Sequence, residues 1–525
     1  MAIYRSSLPP VRIPDTPVVD FVLARARERG DRTALVDSLT GRTIAYAQLP
    51  DLVDRAAAAL ARIGIRQGDV CAIVSPNTLE FPIAFLAIAR LGAIVTTASP
   101  LCTRDDLVRQ FQDCKARLLF MSPAVAATTL PAAKEVNIQH VFSFAPLDGV
   151  ATFDELIAQP GTPPDVAIAP HDVVALPYSS GTTGLPKGVR LSHRNLVANM
   201  LQVDGSSHLR DGEDTLIAFL PFFHIYGLEV VLLLGLWSGA TIVVMPKFEL
   251  EPYLDLLERH RATMLHVVPP IVVALAKSPC AGGRNFSQVR KLFSGAAPLG
   301  ADVIAQCTAR VGCVLQQGYG MTEASPATHT TSEIDAEIKP GSVGTLVPNT
   351  ECRVVDPATR EDVAPGEDGE IWVRGPQVML GYLNQPDATR ATLDEDGWLH
   401  TGDIGRADAD GDMYVVDRLK ELIKYKGMQV PPAELESVLL SHPAVADAAV
   451  VAQKDDDAGE IPRAFVVLKA PATAEDLMAF VAARVAPYKK IRRVEFIAAI
   501  PKSPSGKILR RVLRDIPTGS SPLPS

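Results

Sequence analysis

The stretch Ser179-Ser180-Gly181-Thr182-Thr183-Gly184-Leu185-Pro186-Lys187-Gly188 concentrates the residue types that hold phosphate. Glycines let backbone N–H groups crowd an anion, hydroxyls add donors, and a lysine adds a point charge. The stretch follows a β-rich run at 173–176, so it reads as a loop leaving a strand. It is not a Walker A loop, because Lys187 is followed by Gly188 rather than by serine or threonine. The chemistry it suits is the handling of a nucleotide's phosphates.

A loop of this kind needs an α/β frame, and the chain supplies one. Residues 52–63 and 80–91 carry a helical apolar period, and 70–74, 94–97 and 118–121 are short β-rich runs. Strands alternating with helices at this spacing predict a parallel sheet. The same rhythm returns between 215 and 292, with strands expected from 215, at 240–245 and at 264–268. The apolar run 230–245 contains Gly235 and Gly239 and falls short of the ~18–20 residues that span a bilayer. It reads as a buried helix followed by a buried strand.

From 341 to about 418 the pattern changes. Turn pairs such as Pro365-Gly366, Asp396-Gly397 and Asp410-Gly411 separate β-rich runs at 351–355, 370–374 and 413–416. That predicts an antiparallel or barrel-like subdomain. Beyond Arg418, a helix at 434–440, strands at 444–452 and 463–468, and a capped helix from Thr473 to Val485 predict a compact α+β unit. The polar tail from Pro517 reads as disordered.

Composition sets the outer limits. At 525 residues the chain exceeds what one hydrophobic core holds, and 47% hydrophobic with 21% charged residues is ordinary for a globular protein. A net charge of −9 argues against nucleic acid as a partner. The basic run Lys489-Lys490-Ile491-Arg492-Arg493 reads as a solvated helix end. Seven cysteines, an odd number with no CxxC pair, point to neither a disulfide framework nor a zinc site. With no signal-peptide pattern and no membrane span, a cytoplasmic protein is expected.

The phosphate loop resembles the signature loop of the adenylate-forming superfamily of acyl-CoA synthetases, luciferases and adenylation domains. The resemblance extends along nearly the whole chain. Pro221-Phe222-Phe223-His224-Ile225-Tyr226, Ser294-Gly295-Ala296-Ala297-Pro298-Leu299-Gly300 and Gln317-Gly318-Tyr319-Gly320-Met321-Thr322-Glu323 all match it. So do Trp398-Leu399-His400-Thr401-Gly402-Asp403, Asp417-Arg418-Leu419-Lys420-Glu421 with Leu422-Ile423-Lys424-Tyr425-Lys426-Gly427, and Pro504-Ser505-Gly506-Lys507. Together they are most similar to 4-coumarate–CoA ligases. The resemblance implies a large N-terminal domain, residues 1–418, of two α/β layers plus a β-barrel subdomain. It implies a small mobile C-terminal domain at 419–516, with the tail at 517–525.

It also implies a reaction and a set of roles. ATP would adenylate a carboxylic acid, and coenzyme A would then take the acyl group. Ser179, Ser180, Gly181, Thr182, Thr183 and Lys187 would hold the outer phosphates, Thr322 the α-phosphate, and Glu323 Mg²⁺. Gly295, Ala296, Ala297, Gln317, Gly318 and Tyr319 would line the adenine. Asp403 would accept the ribose hydroxyls, with Arg418 nearby and Lys420 at a hinge. Lys507 would bridge the carboxylate and the α-phosphate, and His224 would sit beside the carboxylate. Lys424 and Gln429 would contact the acyl-adenylate; Lys247, Lys426 and Gly427 would meet coenzyme A.

The acid pocket would comprise Tyr226, Val230, Phe293, Ala296, Gly318, Gly320, Pro326 and Ala327. Small residues at Ala296, Gly318 and Gly320 suggest a flat slot for a planar conjugated acid, with Tyr226 able to bond a ring hydroxyl. Plant ligases often carry serine where Val230 stands. Loss of one hydrogen-bond partner costs ~1 kcal/mol, so cinnamate is expected to serve about as well as 4-coumarate. A medium-chain fatty acid ligase is the nearest alternative. A peptide-synthetase unit lacks support, because the Pro221–Tyr226 segment has no aspartate for an α-amino group. A non-catalytic acyl- or nucleotide-binding protein is the alternative from another class; the set Lys187, Glu323, Asp403 and Lys507 argues against it.

Overall fold

In the computed structural model, residues 3–179, 186–207, 209–297, 299–331, 338–426, 428–455, 457–502 and 507–517 are described. The expectations for Ser180, Gly181, Thr182, Thr183 and Gly427, and for the tail beyond Pro517, fall outside that set.

Two α/β sheets form the body. The first has six strands in the order Leu191–Ser192, Val173–Ala175, Ile94–Ala98, Val70–Val74, Leu118–Met121 and His140–Ser143; all run parallel except the first. The second has nine. Its six central strands are parallel: Val314–Gly320, Lys291–Ser294, Met264–Val267, Thr215–Ala218, Thr241–Val244 and Thr33–Asp37. Ala327–Thr330 and Thr345–Leu346 continue it antiparallel at one edge, and Thr43–Ala45 does so at the other.

Thr33–Asp37 is the topological surprise. It precedes the strands of the first sheet in sequence but pairs with Thr241–Val244 in the second. Periodicity reports that a segment is a strand, not which partner takes it.

Helices cover both sheets. Glu80–Arg90 has Glu80 to Ala89 all buried, as a helix enclosed on every side requires. The apolar run 230–245 does hold a buried helix and then the strand Thr241–Val244, but the helix begins as a π-helix over Tyr226–Leu233 and becomes α-helical at Leu234–Ser238. Wide i→i+5 turns of this kind often mark functional sites. Gly239, at φ +82°, ends it in the left-handed conformation that glycine adopts freely.

The antiparallel unit is a five-stranded sheet in the order Tyr4–Arg5, Glu351–Val355, Gly369–Arg374, Leu399–Ala407 and Met413–Arg418. The small C-terminal unit has its own sheet and core. Val445–Asp455 and Gly459–Leu468 form a long hairpin, flanked by the hairpin Ile423–Tyr425/Met428–Val430 and by the parallel strand Arg493–Phe496. The long hairpin outruns the expected strands because its far ends carry Gln453, Lys454 and Glu460, which pattern as loop. No described helix is long and apolar enough to cross a membrane.

The small unit docks on the large one through polar contacts. Asp417, on the last strand of the five-stranded sheet, accepts the Ala433 N–H at 2.8 Å. Lys277 donates to the Leu440 carbonyl at 3.2 Å. Within the small unit, Arg510, three residues past Lys507, forms a bidentate pair with Glu436 at 2.5 and 3.1 Å. A fork of this kind fixes the chain direction just beyond Lys507.

One buried histidine gives the fold a pH signature. His193 accepts the Val18 N–H at Nδ1, 3.1 Å away. Burial pushes its pKa down to about 4, with Asp172 opposing. Unfolding exposes the ring to water, where it takes up a proton below about pH 6.5. Its stability contribution is therefore whole above pH 6.5 and is lost as pH falls toward 4. His193→Asn keeps an acceptor and removes the titration. Urea unfolding between pH 4.5 and 8 is expected to show a shallower acid limb in this variant, by up to ~1.4 kcal/mol per pH unit.

Candidate active site

The base of the phosphate loop is a short hairpin. Tyr178–Ser179 pairs antiparallel with Lys187–Gly188, so Ser179 and Lys187 stand opposite each other. A side chain at Gly188 would meet the Tyr178 ring at 3.1 Å. The segment Met379–Leu383 runs alongside, with Arg190 N–H donating to Gly381, Leu380 N–H to Arg190, and Leu383 N–H to Gly188.

That pairing delivers Tyr382, a residue the sequence reading missed. Its hydroxyl donates to Glu323 Oε1 at 2.9 Å, and Ser179 donates to the same oxygen at 2.8 Å. The Lys187 ammonium lies 4.8 Å from the centre of the Tyr382 ring, a cation–π distance. One tyrosine thus orients the acid and supports the lysine of the site. Its only sequence signal is the Gly381-Tyr382 pair after an apolar run, which reads as a turn.

Glu323 is buried at the start of a short 3₁₀ turn, Thr322–Ala324, with Thr322 half-buried beside it. Among the described residues no group of three or more His, Cys, Asp or Glu side chains could hold a metal alone. A single buried carboxylate suits Mg²⁺ that arrives with phosphates, since that ion keeps waters and uses one or two carboxylates.

Asp403 forms the second centre. It faces Arg418 across the last two strands of the antiparallel sheet, and Arg418 Nε lies 3.3 Å from Oδ1. Tyr319 donates its hydroxyl to Oδ2 at 2.6 Å. Each carboxylate oxygen accepts more than one bond, so both retain capacity for a diol. Gln317 differs from expectation: its side-chain N–H is committed to the Ser342 carbonyl at 2.9 Å. Strand alternation turns it away from Gly318, leaving its backbone nearer the site. Gly295 is buried, Ala296 half-buried and Ala297 exposed; Ala296 holds φ +76°, a conformation disfavoured outside glycine.

Lys507 enters this space from the small unit. It is half-buried, and burial pushes its pKa down; the positive charge of Arg418 acts the same way, while Asp403 and Glu323 oppose. His224 is its neighbour: burial lowers the imidazole to about 3, and the Lys507 charge adds to that. That holds the imidazole in its neutral form. Lys420 is exposed; burial of its stem and the charge of Lys187 lower its pKa. Four cationic groups, Lys187, Arg418, Lys420 and Lys507, thus gather around two carboxylates. That is a field for a polyanion undergoing displacement at phosphorus.

The expected acid-pocket residues cluster beside it. Tyr226, Val230, Phe293, Pro326 and Ala327 are buried. Tyr226 donates its hydroxyl to the Phe293 carbonyl at 3.1 Å, so toward a ligand it is an acceptor. The flat slot expected at Gly318 and Gly320 is corrected. A side chain at Gly318 would strike the Phe293 ring at 2.6 Å, and one at Gly320 the Pro326 carbonyl at 2.1 Å. These glycines permit close packing rather than open space. Glu229, next to Val230, is fully buried, and neither carboxyl oxygen has a partner among the described residues. Burial raises it well above the carboxylate range.

Four expected contacts stand apart. Lys424 and Gln429 are register partners in the outer hairpin, both exposed, and Lys426, beside Tyr425, is exposed as well. Lys247 pairs with Glu249 at 2.7 Å, its side chain 79% exposed. The small unit turns Lys507 inward and this hairpin outward; one rigid face cannot present both to a single cleft.

The chain matches known proteins over nearly its whole length. A family model described as "AMP-binding enzyme" matches residues 22–383, and "AMP-binding enzyme C-terminal domain" matches 434–507. The chain is 46% identical over 525 residues to 4-coumarate–CoA ligase 5 of Oryza sativa subsp. japonica, covering 98% of this chain and 97% of that one. It is 45% identical over 523 residues to 4-coumarate–CoA ligase 1 of Petroselinum crispum, covering 98% and 96%. Among solved structures, the anthranilate CoA ligase AuaEII with anthranoyl-AMP superposes with a TM-score of 0.87 at 28% identity, covering 96% of this chain and 97% of that one. The o-succinylbenzoate CoA synthetase from Bacillus subtilis with its acyl-adenylate gives 0.85 at 29%, covering 97% and 100%.

Proposed function

This chain belongs to the AMP-binding enzyme family, and on that premise we propose that it activates phenylpropenoic acids of the cinnamate and 4-coumarate type. It is an ATP-dependent, AMP-forming acid–CoA ligase. The acid's carboxylate oxygen attacks the α-phosphorus of ATP and pyrophosphate leaves. The thiol of coenzyme A then attacks the acyl carbon, and AMP leaves with the carboxylate oxygen. The observation that carries the reading is the convergence of Lys507, from the small unit, with Glu323, Asp403 and Arg418 of the large one.

In this account Ser179 and Lys187, with the intervening loop, bind the outer phosphates, and Thr322 the α-phosphate. Asp403 accepts the ribose hydroxyls while Tyr319 holds it in place. Gly295, Ala296, Ala297 and Gly318 wall the adenine. Lys507 neutralises charge passing between carboxylate and α-phosphate. Mg²⁺ on Glu323, when bound, neutralises the phosphates. The neutral His224 packs beside the carboxylate without repelling or protonating it. After adenylation, rotation about Lys420 brings Lys424, Gln429, Lys426 and Gly427 inward, by the gating logic of lids, and Lys247 then meets coenzyme A. The seven cysteines are all free, which fits a reducing cytoplasm.

Tyr382 tests the phosphate side. Tyr382→Phe removes one donor to Glu323 and keeps the ring under Lys187, so pyrophosphate release should fall about three- to tenfold. Tyr382→Leu removes both and should fall further.

The acid itself is tested by pyrophosphate release with cinnamate, 4-coumarate, benzoate and octanoate, with thioester followed by mass. Turnover of the two phenylpropenoates that depends on coenzyme A is expected. Preference for octanoate would move the reading to a fatty acid ligase.

A further inference from the structure

The hairpin at the base of the phosphate loop is held from behind. Tyr178 and Ser179 are neighbours on one strand, so their side chains point to opposite faces. Ser179 turns toward Glu323, donating to it at 2.8 Å. Tyr178 turns the other way, and its hydroxyl donates to Asp113 Oδ2 at 2.6 Å. Asp113 is half-buried in the last turn of the helix Arg104–Cys114, 65 positions earlier in the chain. Its other carboxylate oxygen accepts the Asn384 side-chain N–H at 3.1 Å, and its backbone carbonyl accepts the same group at 2.9 Å. Asn384 follows Tyr382 by two residues, and the Leu383 N–H between them donates to the Gly188 carbonyl.

One side chain thus joins both segments that build the phosphate site. The first carries Ser179 and pairs with Lys187; the second carries Tyr382, which donates to Glu323 and whose ring lies under the Lys187 ammonium. Burial, then the neighbouring Cys114 and Asp113, raise the pKa of the Tyr178 phenol, so it stays protonated and donates to a carboxylate, the strong kind of hydrogen bond. The helix itself gains nothing from Asp113, because an acid in the last turn faces the negative end of the helix dipole. What the position provides is the pair of bonds across to Tyr178 and Asn384.

We propose that Asp113 is a positioning residue for adenylation: from behind the hairpin it clamps the strand entering the phosphate loop to the segment bearing Tyr382, and so fixes Ser179, Lys187 and Glu323 relative to one another for the triphosphate. Facing away from Glu323, it acts through Tyr178 and Asn384 rather than on the nucleotide. The inference rests on the assignment of this loop to the outer phosphates of ATP. A preformed site spends less of its binding free energy on ordering. Loss of the clamp therefore weakens the use of ATP and spares the step that follows pyrophosphate release.

The test measures kcat and KM for ATP in pyrophosphate release and, separately, thioester formation from preformed acyl-adenylate, with the acid turned over fastest among cinnamate, 4-coumarate, benzoate and octanoate. Asp113→Ala should lower kcat/KM for ATP about five- to tenfold, mainly through KM, and leave thioester formation within about twofold of wild type. Asp113→Asn, which keeps an acceptor for the Tyr178 hydroxyl, should recover most of that loss. Tyr178→Phe should weaken ATP use in the same way, and the double variant should be no worse than Asp113→Ala alone, because the two changes remove one shared bond. Unaltered ATP kinetics in Asp113→Ala overturn the proposal. So does equal slowing of both half-reactions, which would make Asp113 a support of the fold alone. If Asp113→Ala does not fold, Tyr178→Phe decides: unaltered ATP kinetics in that enzyme overturn the proposal. Lys187→Ala checks the reading beneath it. If that variant uses ATP as the wild type does, the loop is not the phosphate site, and this inference falls with that assignment.

Discussion

Lys507→Ala protein is expected to release pyrophosphate about 10²–10³-fold more slowly than the wild type, the usual loss for one charge-stabilising donor at a displacement centre. The same protein, given a preformed acyl-adenylate and coenzyme A, is expected to make thioester at close to the wild-type rate. The split follows from geometry. Lys507 comes from the small unit and shares its surroundings with Asp403, Glu323 and Arg418. The hairpin bearing Lys424 and Gln429 faces outward in this arrangement. On the proposed roles, adenylation uses the face presented here and thioester formation uses the other. Stopped measurement of each half-reaction checks it. Equal loss in both steps would mean that Lys507 only holds the two units together.

The second large effect concerns Glu323. Glu323→Gln keeps the volume of a buried side chain, and the Ser179 and Tyr382 donors still find an oxygen. It removes the charge. If Glu323 carries Mg²⁺, adenylation should fall about 10²-fold in kcat/KM for ATP. Raising Mg²⁺ from ~1 to ~20 mM should recover part of that loss, because the ion retains its phosphate and water ligands. The same change should do nothing for Lys507→Ala. A Glu323→Gln enzyme with unaltered Mg²⁺ dependence would reduce Glu323 to an anchor for Ser179 and Tyr382.

The sequence carried much of this architecture where local pattern dictates structure. The runs at 70–74, 118–121 and 351–355 are strands with those bounds, because apolar stretches this brief are too short for helices. The helix after Thr473 is announced by a capping box that the structure contains: Thr473 and Asp476 exchange side-chain and backbone bonds. What was not legible is long-range. Thr33–Asp37, with its hairpin partner Thr43–Ala45, joins a sheet whose remaining strands begin only at Thr215. Nothing in an apolar run separates a π-helix from an α-helix, so the run from Val230 reads simply as buried helix, whereas the structure begins it as a π-helix over Tyr226–Leu233.

The site divides the same way. Motif residues such as Lys187 and Asp403 were legible as types with a chemistry. Tyr382 was not, since it acts through a partner far along the chain, Glu323. Gly318 and Gly320 were misread because a missing side chain suggests space, whereas Phe293 and the Pro326 carbonyl already fill it.

The central claim is that this chain joins the acid to AMP before coenzyme A takes it. The direct test is the fate of carboxylate oxygen. 4-Coumarate labelled with ¹⁸O in its carboxyl group is turned over with ATP and coenzyme A, and the nucleotide and phosphate products are weighed by mass spectrometry. The account predicts one ¹⁸O atom in each AMP formed and none in pyrophosphate. Label in inorganic phosphate, with ADP as the other product, or AMP without label, would contradict it.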